Sequence, residues 1–129
     1  MSPDLKYLLF SVILTFVQML VAATGANQAV GLPTLAGNRE GLPEIKGWAG
    51  RAKRAHLNMV ENMVLFAALV LIAAVAGKAN AMTAMGAAIF FWGRAAYAVI
   101  YVAGIAWLRT AAWFVSVIGM VMIAIELLK

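Results

Sequence analysis

Four long apolar runs, separated by more polar connections, leave this chain one kind of fold, because a segment in lipid must satisfy its backbone polar groups internally. A helix does this within a single segment, and about 20 apolar residues suffice to cross the hydrocarbon core. The runs fall at residues 5–24, 51–76, 81–107 and 111–128, which predicts an all-α integral membrane protein, a single bundle of four transmembrane helices over 1–129. Composition agrees: 65% of residues are apolar and 12% charged, far from the balance of soluble domains. The first run carries Lys6 at its outer end and Gln18 as its strongly polar interior residue. A cleaved signal peptide ending near Val21-Ala22-Ala23 is the competing reading. Asp4 and the length of the run favour a retained helix.

Residues 25–50 form a long connection rich in glycine, with Pro33, Pro43, Arg39, Glu40, Glu44 and Lys46. Such a density of helix breakers predicts an extramembrane loop, and long loops are often functional. Lys6, Lys78 and Lys129 lie at one end of the predicted bundle, and Arg39, Lys46, Arg51, Lys53, Arg54 and Arg109 at the other. The bias toward cytoplasmic cations places the loop in the cytoplasm and both termini on the opposite side. The net charge of +5 is therefore read as topology plus site chemistry, not as a nucleic-acid footprint. Cysteine is absent, which excludes disulfides, thiolate metal sites and a cysteine nucleophile. No glycine spacing suits a phosphate-cradling loop.

Two polar stripes interrupt the apolar runs. Arg54, Asn58, Glu61 and Asn62 follow at i, i+4, i+7 and i+8, and Arg94, Tyr97 and Tyr101 at i, i+3 and i+7, so each set shares a helix face. Charges inside a bilayer are costly, face partners and mark sites. At about 1.5 Å rise per residue, Glu61 and Arg94 can reach one depth, which predicts an ion pair between the second and third spans. That pair would either fix helix register alone or belong to a ligand site. Arg51, Lys53 and Arg54 also suit snorkelling to headgroups, although Arg54 heads the polar stripe. His56 has no evident metal partner and receives no role. Trp92, Trp107 and Trp113, with the tyrosines, suggest an aromatic belt. Ala73 with Gly77, Ala84 with Ala88, and Ala112 with Ser116 have the spacing of close helix contacts.

The run Arg54-Ala55-His56-Leu57-Asn58-Met59-Val60-Glu61-Asn62, followed by Phe66, resembles the second-helix signature of the MAPEG family, the membrane-associated proteins of eicosanoid and glutathione metabolism. Gly93-Arg94-Ala95-Ala96-Tyr97 with Tyr101 resembles that family's third-helix motif, and Leu108-Arg109-Thr110 with Trp113 the start of its fourth helix. The resemblance implies a homotrimer that binds glutathione as co-substrate between subunits near the cytoplasmic face. It implies that Arg54, Asn58, Glu61, Arg94, Tyr97 and Tyr101 bind glutathione and that Arg109 is catalytic, stabilising the thiolate. The partners implied are membrane lipid and a hydrophobic small-molecule substrate. Leu57 stands where some members carry another arginine, and Thr24-Gly25-Ala26-Asn27 lacks the basic cluster of the eukaryotic enzymes. Thr110 replaces a serine found in some members. The compact loops are more similar to bacterial members, implying the bacterial inner (cell) membrane.

Three functions compete at this level. The first is a glutathione-dependent transferase or peroxidase acting on a lipophilic electrophile. The second is a non-enzymatic lipid-binding or partner-binding protein of the same fold. The third is a small four-helix exporter, disfavoured because such exporters carry their essential glutamate in the first helix, where this chain has Gln18.

Overall fold

A computed structural model describes all 129 residues. The chain forms α1 (Pro3–Val30), α2 (Leu32–Ala36), α3 (Gly47–Val75), α4 (Ala81–Ala103) and α5 (Ala106–Leu127). All but α2 are long and apolar enough to cross a membrane.

The helix ends have local causes. At the start of α1, Ser2 accepts the Leu5 N–H at 3.4 Å, with Pro3 in the first turn and Asp4 at the positive end of the helix dipole. Expected to stop near residue 24, α1 continues to Val30 because Gly25 does not break it. Gly25 instead lets α3 approach: a Cβ there would lie 2.8 Å from the Ala49 Cβ. The stop comes at Gly31, whose φ of 86° favours glycine, with Pro33 two residues on. The long connection thus contains the end of α1 and the short α2, and α3 begins at Gly47 rather than Arg51. Within α3, a side chain at Gly50 would collide with the Ile45 carbonyl, so the incoming strand of loop packs directly on the helix.

A reciprocal capping box opens α4. Asn80 Oδ1 accepts the N–H groups of Met82 and Thr83, each at 3.0 Å, while Thr83 Oγ1 accepts the Asn80 N–H at 2.8 Å. The helix closes at Gly104 in the left-handed region, with Ile105 N–H bonded to Ile100 O and Gly104 N–H to Tyr101 O. These are the two bonds of a Schellman motif. The joint between the third and fourth spans, expected at 108–110, therefore falls at Gly104 and Ile105. Arg109 and Thr110 lie within the first turns of α5.

α1 packs on α3 and α4, α5 packs most extensively on α4 and less on α3, and α1 does not touch α5. The main core joins Met59, Phe66 and Val70 of α3 to Ala87 and Phe90 of α4 and Met120 and Ile123 of α5. Phe66 stacks on Phe90 with centroids 3.9 Å apart. The closest approach of two helices is α4 against α5, through Gly86, Gly93, Gly119 and Ser116. A Cβ at Gly86 would lie 2.6 Å from Gly119 O, and one at Gly93 3.0 Å from Ser116 N. Ala112 and Ser116 belong to this contact, whereas Gly77 and the outer sides of Ala84 and Ala88 are less enclosed. Large apolar side chains cover the outside, among them Val64, Val75 and Val99, as the hydrocarbon of a bilayer requires.

At the end of the bundle that holds the termini, Lys78 Nζ donates to Leu127 O and Lys129 O at 3.0 and 3.1 Å. Asn80 Nδ2 donates to Glu126 Oε1 at 2.8 Å, and Lys129 pairs with Glu126 at 3.1 Å. Trp48 and Trp107 mark the opposite end, exposed at the starts of α3 and α5. Trp92 lies midway along α4, so it is not part of a belt at either interface.

Candidate functional site

The end opposite the termini gathers most of the residues singled out in sequence. Arg54 Nε donates to Tyr101 Oη at 3.2 Å. The Arg109 guanidinium lies over the face of the same ring, 4.5 Å from its centroid, as a cation does over an aromatic quadrupole. Tyr97 meets Tyr101 edge-on at 5.5 Å, and the Arg94 guanidinium covers the Tyr97 ring at 4.1 Å. Arg94 and Tyr97 are buried, 1% and 5% exposed. Three arginines from three helices thus converge on two tyrosines of α4 that meet edge to face.

A recess of about 170 Å³ opens beside them, lined by Asn58, Tyr97, Arg109, Thr110 and Trp113. Each helix contributes by its own periodicity. Tyr97 and Tyr101 are one turn apart on α4, Arg109, Thr110 and Trp113 occupy the first turns of α5, and Asn58 projects from the flank of α3. The Schellman turn at Gly104 brings α5 back along α4 and so sets Arg109 over Tyr101. Arg51, read in sequence as a snorkelling cation, donates from Nε to Val102 O at 3.0 Å. It caps the negative end of α4 immediately behind the site.

The expected ion pair between Glu61 and Arg94 does not form. Arg94 Nη2 donates at 2.8 Å to Asn58 Oδ1, and the single ion pair within the chain is Lys129 with Glu126. Helical geometry gives the reason: at about 100° per residue, Glu61 lies roughly 160° around α3 from the buried Met59. Glu61 is exposed, on the same face of α3 as the exposed Arg54. Asn62, grouped with the stripe but given no role, is the residue that reaches Asn58: its Nδ2 donates to Asn58 O at 2.8 Å and to Asn58 Oδ1 at 3.2 Å. His56 turns the other way, into an apolar groove between α1 and α3, and its Nδ1 is buried without a partner.

The cluster is cationic and donor-rich, and no carboxylate in the chain is bonded to it. Such an arrangement attracts an anion and lowers the pKa of an acid held against it. Among curated proteins none matches the chain. A family model described as the MAPEG family matches residues 5–129, essentially the full length. Taken with the four apolar helices, that match identifies this integral membrane protein as a member of the MAPEG family.

Proposed function

We propose that the chain is a glutathione-dependent transferase or peroxidase acting on a lipophilic electrophile that arrives through the bilayer. The observation that carries this reading is the Arg109 guanidinium, fixed over Tyr101 at the mouth of a recess whose neighbouring charges are also positive. Glutathione is anionic, and its thiol needs a fixed cation in a poorly hydrated place to ionise near neutral pH. Arg109 fills that role. Arg54 and Asn58 offer donors for the peptide's carboxylates and carbonyls, Glu61 offers an acceptor for its amino group, Tyr97 lines the recess, and Tyr101 supports Arg109 on its ring face. The thiolate sulfur bonds to an electrophilic carbon and the displaced group leaves with the electron pair; with a hydroperoxide the sulfur takes the terminal hydroxyl as a sulfenic acid while the O–O bond breaks, and the departing alkoxide takes a proton from water to leave as an alcohol.

The recess is smaller than the roughly 300–1,000 Å³ of ordinary ligand sites, so it suits one end of the tripeptide. The remainder would lie along the flank of α3, where Arg54 and Glu61 face outward from the single chain. Polar groups on a lipid-facing flank call for a cover, which supports a homotrimer with each site closed by a neighbouring subunit. The cation bias supports a cytoplasmic loop and site, with the termini across the membrane; the family resemblance and compact loops support the bacterial inner membrane.

A second reading, lipid binding without chemistry, is favoured by one observation. An apolar groove of about 540 Å³ runs between α1, α3 and α4, lined by Leu14, Val21, Ala55, Ala98 and Val102 among others. Titration of glutathione into the purified protein in detergent, following heat and the ultraviolet absorbance of the thiolate, separates the two. Binding with a thiolate signal that disappears in Arg109→Ala is the expected result. No binding at millimolar glutathione, with lipid binding that survives Arg109→Ala, would overturn the first reading in favour of the second.

A further inference from the structure

Arg94 is the least expected residue of the cluster. It sits on a membrane-spanning helix, 1% exposed, with no carboxylate partner and with Nε and Nη1 buried and unbonded. A buried guanidinium without an anion is costly, so what it does touch is informative. It lies over the Tyr97 ring and gives one short hydrogen bond, to Asn58 Oδ1. It does not line the recess. The residue it touches does: Asn58 is part of the wall.

Asn58 Oδ1 accepts from two sides, from Arg94 Nη2 at 2.8 Å and from Asn62 Nδ2 at 3.2 Å. Asn62 is held in turn by its bond to the Asn58 backbone carbonyl one helical turn earlier. An amide has one acceptor end and one donor end. With two donors aimed at one position, the reversed amide would set N–H against N–H on both sides, so a single orientation is allowed. The donor end, Nδ2, takes no partner within the chain and is not sealed in the interior.

We propose that Arg94 and Asn62 are positioning residues that lock the Asn58 amide with its Nδ2 turned outward, so that the recess offers a fixed donor beside Arg109 and selects a ligand group that accepts hydrogen bonds. That group is a carboxylate, a thiolate or a carbonyl oxygen. Arg94 then acts through Asn58 and never touches the ligand. The glutathione arm of the test rests on the function proposed above; the lock itself does not.

Two measurements test it separately. In the ligand-free protein, the side-chain amide resonance of Asn58, identified by its loss in Asn58→Asp, should be one restrained pair. It should shift or broaden in Asn62→Leu and in Arg94→Lys. An Asn58 resonance unchanged in both would overturn the lock, whatever the protein binds. In the second measurement, Asn58→Asp keeps an acceptor for Arg94 and strengthens that bond by charge, so folding should be at least as stable as in the wild type. Glutathione affinity should nevertheless fall tenfold or more, because the donor facing the recess becomes an anionic acceptor. Asn62→Leu, which adds no charge, should weaken glutathione several-fold. If Asn58→Asp binds glutathione as the wild type does, Asn58 serves only packing and the proposal fails. If the wild-type protein binds no glutathione, the function proposed above falls, and the amide resonance alone decides the lock.

Discussion

The contact between α4 and α5 sets the distance from Arg109 to the two tyrosines, and a single methyl group at Gly119 tests how tightly it is drawn. An added Cβ would lie 2.5 Å from Gly86 O and 2.7 Å from Phe90 N. Both neighbours are backbone atoms of α4, so no side-chain rotation relieves the overlap. Ordinary contact for a Cβ begins near 3.4 Å, and the helices must part by about 0.9 Å to restore it. Overpacking of this kind costs about 1–3 kcal/mol, and a radial gap of 0.5–1 Å forfeits roughly a quarter to a half of the dispersion energy of the atoms that separate. Gly119→Ala should therefore shift the unfolding equilibrium by a factor of about 5 to 150, at 1.4 kcal/mol per tenfold. Reversible unfolding in mixed micelles of increasing denaturing-detergent fraction would measure it. Gly37→Ala is the control, since a Cβ there meets nothing closer than 3.6 Å. Equal stability of Gly119→Ala and wild type would refute the claim that these two backbones touch.

Three further substitutions can be followed by the same unfolding assay or by the glutathione titration. Phe66→Ala removes a fully buried ring stacked at 3.9 Å on Phe90 and should destabilise by about 3–5 kcal/mol; a loss under about 1 kcal/mol would mean that the core closes over the gap. Gly104→Ala places a side chain at φ 85° and should cost about 1–2 kcal/mol, with Arg109 displaced and the thiolate signal reduced as a consequence. Tyr101→Phe keeps the ring beneath Arg109 but removes the acceptor for Arg54 Nε. Thiolate formation should persist while glutathione affinity drops by a factor of about 3 to 10, as for loss of one hydrogen bond of about 1 kcal/mol; equal loss of both would mean that the two arginines act as one unit.

What the sequence determined by itself is the solvent and the shape that solvent demands. Runs of apolar residues long enough to span a bilayer admit only helices, and polar residues at helical spacing within them announce a site. Periodicity singles out Arg54, Asn58, Tyr97 and Tyr101, since each lies on a polar stripe, whereas Arg109 stands out only through the family resemblance at the start of the fourth run. Periodicity on one helix says nothing, however, about which face meets which neighbour. Glu61 and Arg94 matched in depth yet do not pair, because rotation of α3 turns Glu61 outward and brings Asn58 to the guanidinium. Likewise Gly25 reads as a breaker until Ala49 is seen against it, and Arg51 as a surface cation until its bond to Val102 O appears. These outcomes depend on distances between helices far apart in the chain. Only the packed bundle decides them, because steric fit between whole faces, rather than any local preference, selects the rotation of each helix.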